Sequence, residues 1–133
     1  MDYKQKMDKA AMLALADQAI KKAGAEFSET LKERVRDLEK ALQQGDLKKV
    51  VEMAYNLETE ASTFGWPHVT RICKWLRKVF SGDYDQKPEA EDVLKVLSAL
   101  KLIVSDPENP NQKRDEDLFR ELFPMMSKVI SDI

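Results

Sequence analysis

The apolar residues of this chain recur at steps of three and four in blocks that are separated by glycine, and this pattern constrains the fold more than any other feature. The chain has four glycines, spaced 17 to 21 residues apart: Gly24, Gly45, Gly65 and Gly82. Glycine just past a helix end adopts the left-handed conformation that closes the helix. Each glycine is therefore predicted to end one helix.

The first three blocks have helical periodicity. The first predicted helix covers residues 4–22, and its apolar positions are Met12, Leu13, Leu15, Ala16, Ala19 and Ile20. The second begins at Ser28, a residue type that caps helix N-termini, and its seam is Leu31, Val35, Leu38 and Leu42. Asp46 caps a third helix that continues to Gly65.

The rest of the chain predicts three more helices. Pro67 suits the first position of a fourth helix, because its missing N–H would have no partner there, and this helix ends before Gly82. Residues 82–88 are predicted as a loop, and a fifth helix follows with its apolar positions at Val93, Leu94, Leu97, Leu100, Ile103 and Val104. A second loop is expected from Asp106 to Lys113, with Pro107 and Pro110. Pro124 is expected to kink or interrupt the last helix.

The predicted fold is a single all-α domain covering residues 1–133. Its core is an antiparallel up-down four-helix bundle from about 28 to 105, flanked by helices at about 4–22 and 115–132. No segment shows the period-two alternation of a strand. A chain of 133 residues is long enough for one hydrophobic core.

Composition excludes several classes of function. With 24 acidic and 22 basic residues the net charge is -2, which argues against nucleic-acid binding. No apolar run approaches the ~20 residues of a membrane span, and no signal peptide is recognisable. One cysteine, Cys73, permits no internal disulfide and favours the cytoplasm. With one histidine, His68, no metal site of the usual kind is expected, and no cofactor-binding or catalytic motif supports an enzyme.

The segment from Ala54 to Gly65 resembles the signature of histidine phosphotransfer (HPt) domains of two-component relays. In that family a helix carries His-x-Leu-Lys-Gly, and a glycine closes the helix ten residues after the histidine. Leu57 and Gly65 are in register with this pattern, whereas Tyr55, Glu58 and Thr59 replace the histidine, lysine and glycine. The resemblance covers about residues 27–82, and beyond the motif five positions within this range also look like the family pattern: Gly45, Asp46, Ile72, Cys73 and Leu76.

The resemblance implies a pseudo-HPt module that binds a receiver domain or a histidine kinase without carrying phosphate. The Tyr55 phenol, with an ordinary pKa near 10, is a poor nucleophile at neutral pH, and a phosphotyrosine ester has too low a transfer potential for onward transfer to aspartate. Glu58 would repel an incoming phosphoryl group, where lysine would attract it. Thr59 would narrow the approach that glycine leaves open.

Eight residues are predicted to form the partner-binding face. Tyr55 is the central anchor, with Thr59 and Ser62 on its face of the third helix and Glu58 at the border. Four residues of the fourth helix are expected to form an adjoining stripe that steers an acidic receiver: Arg71, Lys74, Trp75 and Lys78.

Other interpretations remain open from the sequence. Tyr55 is also compatible with an ordinary exposed aromatic residue, and the basic stripe with a solvated surface. His68 is the one residue that could serve as a relocated phosphoacceptor. The chain could also be a purely structural interaction module that dimerises through its first or last helix, and the oligomeric state is not determined. Cys73 is expected to be a small core residue.

Overall fold

The computed structural model describes the backbone of residues 2–106 and 113–133, and the side chains of residues 9–106 and 113–133. Within these ranges the chain forms five helices and no strand: α1 Asp2–Gln43, α2 Leu47–Thr63, α3 Pro67–Phe80, α4 Ala90–Ile103 and α5 Lys113–Val129. The prediction of an all-helical fold is confirmed for this part of the chain. The expected loop prolines, Pro107 and Pro110, lie outside the described residues.

Three of the four glycines close helices as predicted. Positive φ angles of 71°, 81° and 83° occur at Gly45, Gly65 and Gly82. At the start of α2, the backbone N–H of Lys49 donates to Asp46 Oδ1 at 3.2 Å, so the predicted N-cap is confirmed. Pro67 is the first residue of α3. These short-range signals fix the ends of α2 and α3 and thereby the position of every side chain on them.

The predicted break between the first two helices is wrong. α1 runs without interruption through Gly24 and Ser28, so Ser28 is not an N-cap and residues 4–22 are not a separate helix. Gly24 allows the ring of Phe64 to pack closely on α1, because a Cβ at this position would lie 3.3 Å from Cδ1 of Phe64, a tight contact. Glycine in a helix costs about 0.5–1 kcal/mol relative to alanine, which is too little to end a helix of this length.

α1 and α2 run antiparallel. The rings of Phe27 and Phe64 lie 5.5 Å apart at one end of the pair. Arg34, about two turns after Phe27 on α1, forms an ion pair with Glu60, which lies one turn before Phe64 on α2. Residues 64–66 join α2 to α3, a connection too short for any arrangement other than adjacent helices of opposite direction.

α4 lies along the other side of α1, also with opposite direction. Lys101 of α4 pairs with Glu39 of α1 at 2.9 Å, whereas Val104, three residues later, shares a groove with Val35. The N-terminal end of α4 is therefore directed toward the C-terminal end of α1.

α5 packs on α3 in the parallel direction. Arg71 lies 4.6 Å over the ring of Phe119, and the Trp75 indole N–H, one turn later, donates to the Met126 carbonyl at 3.0 Å. Of the predicted kink or interruption at Pro124, the interruption is wrong, because α5 continues through this residue. The buried core is continuous across all five helices and includes Leu31, Leu38, Leu57, Ile72, Leu76, Leu100 and Met126.

Residues 9–22 of α1 do not take part in this core. The large apolar side chains of this stretch are 58–68% exposed: Met12, Leu13, Leu15 and Ile20. Burial along α1 begins at Phe27, which lies beside the end of α2. In the described part of the chain, none of the helices is both long and apolar enough to cross a membrane.

Candidate partner-binding face

Tyr55 lies in the middle of α2 on the side that faces away from the core. Val50, Ala54, Leu57 and Ala61 are the buried residues of this helix, and the 100° step between neighbours turns Tyr55 outward. Its side chain is 56% exposed, as the sequence predicts. A large aromatic residue at this exposure offers apolar area and a hydroxyl to a partner at once.

Thr59 and Ser62 share the exposed surface with Tyr55, which confirms their predicted position. The Thr59 hydroxyl donates to the carbonyl of Tyr55 at 3.0 Å, so its hydrogen is directed back onto the helix. The methyl group and Cβ of Thr59 occupy the surface that a glycine would leave open.

Glu58 is half-buried between α2 and α3, where it forms a two-point ion pair with Arg77. Arg77 Nε donates to Glu58 Oε2 at 2.8 Å and Arg77 Nη2 donates to Glu58 Oε1 at 3.2 Å. This hydrogen bond raises the pKa of Arg77 above its ordinary value, against the opposing effect of burial. The predicted repulsion by Glu58 is therefore offset locally, because its charge is matched by a fixed guanidinium.

Arg77 also contacts Tyr55, with its guanidinium carbon 5.9 Å from the ring centroid. This distance is within the range of a cation–π contact. We define Tyr55, Glu58 and Arg77 as the Tyr55 cluster. The sequence prediction left Arg77 out of the site, although an acidic residue at the border of α2 indicates a need for a cation on the neighbouring helix.

The four residues of the predicted basic stripe on α3 do not form one exposed surface. Trp75 is completely buried and donates its indole N–H to Met126, so its predicted place on the surface is wrong. The helical spacing of Trp75 from Arg71 is as expected, but this side of α3 is covered by α5. Trp75 therefore stabilises the core and does not contact a partner in this conformation.

The three cations of the stripe contact the C-terminal segment. Arg71 donates to the Ile133 carbonyl at 3.3 Å and Lys74 to the Asp132 carbonyl at 3.1 Å. Lys78 pairs with Asp132 Oδ2 at 2.5 Å, and this hydrogen bond lowers the pKa of Asp132. The three cations therefore lie against the C-terminal segment. The basic residue of α3 that lies beside Tyr55 is Arg77.

His68 and Cys73 lie away from the Tyr55 cluster. The His68 ring is 5.4 Å from that of Phe119, and its Nδ1 is buried without a hydrogen-bond partner in the described structure. Cys73 is completely buried, which confirms its predicted core position, and burial raises the pKa of its thiol far above the ordinary range. The described side chains contain no group of three or more potential His, Cys, Asp or Glu metal ligands.

The chain matches no protein-family model, and searches of curated proteins and of solved structures also found no match.

Proposed function

We propose that this chain is an HPt-like docking module of a two-component system, which binds a receiver domain or a histidine kinase through the Tyr55 cluster and does not carry phosphate. The observation that carries this proposal is the exposure of Tyr55 at mid-helix, at the position that the motif assigns to the phosphoacceptor histidine. The surrounding α2 surface is exposed and available to a partner.

The helix contacts support the fold part of the proposal. The first four helices contact one another in a ring: α1 with α2, α2 with α3, α3 with α4, and α4 with α1. The direction alternates between α1 and α2, between α2 and α3, and between α1 and α4. An HPt-like antiparallel four-helix bundle has these features, with α5 added against α3 and α4.

The chemistry of the cluster supports docking without transfer. Tyrosine provides no nucleophile at neutral pH without a positioned base, and the Glu58 carboxylate beside it is engaged by Arg77. Tyr and Arg are also the residue types that most often dominate protein interfaces. A rigid aromatic ring beside an internally neutralised Glu58–Arg77 ion pair offers apolar contact to a receiver without the repulsion that a free Glu58 carboxylate would cause near its acidic phosphorylation pocket.

The alternative of a relocated acceptor on His68 has less support. His68 is in the first turn of α3, its ring packs on Phe119, and its Nδ1 is buried. A phosphoacceptor must present a ring nitrogen to the active site of a partner, and the exposed middle of α2 is on a different surface.

The proposal is tested by affinity capture from the native cell lysate with three baits. Wild type and Tyr84→Arg should retain a receiver protein or a histidine kinase, and Tyr55→Arg should lose it. Tyr84 is a matched control because it is also exposed, at 40%, but lies in the loop after α3. Retention of the same proteins by all three baits, or of no receiver or kinase by any of them, would contradict the proposal.

A further inference from the structure

The N-terminal part of α1 is an amphipathic helix whose large apolar side chains are mostly left uncovered by the residues that the structure describes. Residues 9–23, which we define as the arm, extend for about 22 Å along the helix axis. Apolar residues follow one side at steps of three and four: Leu13, Ala16, Ile20 and Ala23, with Met12 beside them. This series continues in register to Phe27, where the same stripe becomes buried in the core.

A second uncovered apolar surface lies on the opposite part of the molecule. It is a groove of about 640 Å³ between α4 and α5. Its apolar lining is Leu94, Ala99, Leu102, Leu118, Leu122 and Met125, and Leu94 and Leu102 are 63% and 42% exposed. Leu94 was predicted to belong to the helical seam of α4, and no described residue covers it.

The two surfaces carry opposite charge. Glu91, Asp92 and Glu121 line the groove together with one cation, Lys95, which pairs with Glu91 at 3.9 Å. The arm carries three lysines and one acidic residue, Asp17. Lys21 pairs with Asp17 at 3.4 Å. Lys9, four residues before Leu13, is in line with the apolar stripe, and Lys22 lies on the other side of the helix; both are exposed. The arm is thus a helix of net positive charge, and the groove has a net negative lining.

The dimensions of the two surfaces also agree. The α4 wall of the groove, residues 91–102, is about 18 Å long, and the arm is about 22 Å long. Helix-in-groove recognition uses apolar anchors at this spacing along one helix face. The small side chains of Ala16, Ala19 and Ala23 would let the backbone of the arm lie close to the surface of the groove.

The arm cannot reach the groove of its own chain in this conformation. α1 is one continuous helix through Gly24, and α4 runs antiparallel to it, with Lys101 beside Glu39. The groove therefore runs from Leu102 toward Glu91 in the direction away from the arm. No described residue of the same chain fills the groove in this conformation, which leaves it open to a helix from another molecule.

We infer that the occupant of the α4/α5 groove is the arm of a second copy of this chain. Because each chain carries both an arm and a groove, reciprocal docking closes a two-fold dimer with two identical arm–groove contacts. Two contacts double the area that one arm would bury, which brings the assembly toward the roughly 800 Å² per partner of a stable interface.

The test uses site-specific cross-linking with two single substitutions at exposed positions, Ile20→Cys on the arm and Leu94→Cys in the groove. The native Cys73 is buried and does not react. After the two preparations are mixed and equilibrated, a short bis-maleimide should give a cross-linked dimer that neither preparation gives alone. Sedimentation of the wild type should show a dimer that dissociates on dilution.

Three results would overturn the inference. Cross-linking of Ile20→Cys with itself as the main product would mean that arms pair with arms. Cross-linking within one chain of the Ile20→Cys/Leu94→Cys double variant at high dilution would mean that the arm bends at Gly24 onto its own groove. A monomer at every concentration, without any cross-link, would mean that no second copy binds.

Charge reversal gives an independent check. Lys9→Glu/Lys22→Glu in the arm should weaken dimerisation at low salt by about ten-fold or more, and addition of Glu91→Lys/Glu121→Lys should restore it. All of these residues are exposed, so circular dichroism should report folded protein throughout. If the variant with all four substitutions dimerised no better than Lys9→Glu/Lys22→Glu alone, the charge match would be contradicted.

Discussion

Arg77 determines what Glu58 does at the surface of α2. A carboxylate at the position of the family's lysine would repel an acidic partner if it were free, but both of its oxygens accept hydrogen bonds from Arg77. Glutamate at the position where the HPt motif has lysine therefore does not by itself make the surface acidic. The guanidinium that neutralises Glu58 comes from α3 and lies over the ring of Tyr55.

A double-mutant cycle should detect this ion pair. Glu58→Gln and Arg77→Met should show a coupling of about 1 kcal/mol in the free energy of unfolding, because the two-point geometry is good and both side chains are less than a third exposed. The Arg34–Glu60 pair is the matched control, since its side chains are 40% and 34% exposed. We expect a smaller coupling there, and equal coupling in urea denaturation of both cycles would contradict the account.

Asp132 should report the attachment of the C-terminal segment as a function of pH. Its pKa is lowered by the hydrogen bond from Lys78, so the contact is present above the ordinary aspartate pKa of about 3.9 and is lost as the pH falls through the lowered pKa. NMR titration of the Asp132 carboxyl carbon measures this directly. Lys78→Met should bring the midpoint back toward the ordinary value, and an unchanged midpoint would mean that Lys78 is not the cause.

At the residue scale, the exposed positions of α2 were predictable and the division of α3 was not. Tyr55, Thr59 and Ser62 follow from the apolar seam of their own helix. Trp75 could not be placed this way, because helical spacing gives the angle of a side chain but not which side of α3 is covered by α5. That side is set by a contact with Met126, 51 residues away in the sequence.

At the element scale, the helix ends that depend on neighbouring residues were predictable. Gly45 and Asp46 form the junction of α1 and α2 through their own backbone angle and side chain. Gly24 has the same sequence appearance as Gly45, but it lies inside α1, with the ring of Phe64 packed against it. A sequence pattern cannot distinguish a glycine that ends a helix from one that admits a neighbouring ring.

Gly24→Ala should test this explanation. In the wild type, the gain of about 0.5–1 kcal/mol from helix propensity should be largely cancelled, because the new Cβ would lie 3.3 Å from Phe64. In a Phe64→Ala background the same substitution should stabilise the protein by the full amount. The measurement is urea denaturation of the four variants. An equal gain in both backgrounds would show that Phe64 does not restrict the position.

At the scale of the whole molecule, the arrangement of helices leaves three separate surfaces: the Tyr55 cluster, the arm of α1, and the groove between α4 and α5. The sequence indicated the first through its motif. For the arm it left open only dimerisation through the first helix, and it did not indicate the groove, because Met12, Ile20 and Leu94 have the spacing of buried residues. The structure adds that α1 extends beyond the end of α2 and that no described residue covers Leu94.

If the scaffold is HPt-like, restoring the motif should restore the chemistry. The variant Tyr55→His/Glu58→Lys/Thr59→Gly should accept a phosphoryl group from a phosphorylated receiver, with transfer from the aspartyl carboxylate to an imidazole nitrogen. The product should be an acid-labile label on this chain. The matched control replaces Tyr55 by Phe in the same background and should stay unlabelled. A folded histidine variant that no receiver labels would contradict an HPt-like geometry of this face.

The most direct measurement is the affinity of the purified chain for the receiver domains and histidine kinases of its own source. Calorimetric titration would compare three forms of the chain: wild type, Tyr84→Ala and Tyr55→Ala. Wild type and Tyr84→Ala should bind one receiver or kinase with equal affinity. Tyr55→Ala should weaken that binding by about 2 kcal/mol, or about 30-fold in Kd, as expected for a hot-spot residue. Equal binding by all three proteins, or no binding by the wild type, would contradict the proposed role of Tyr55.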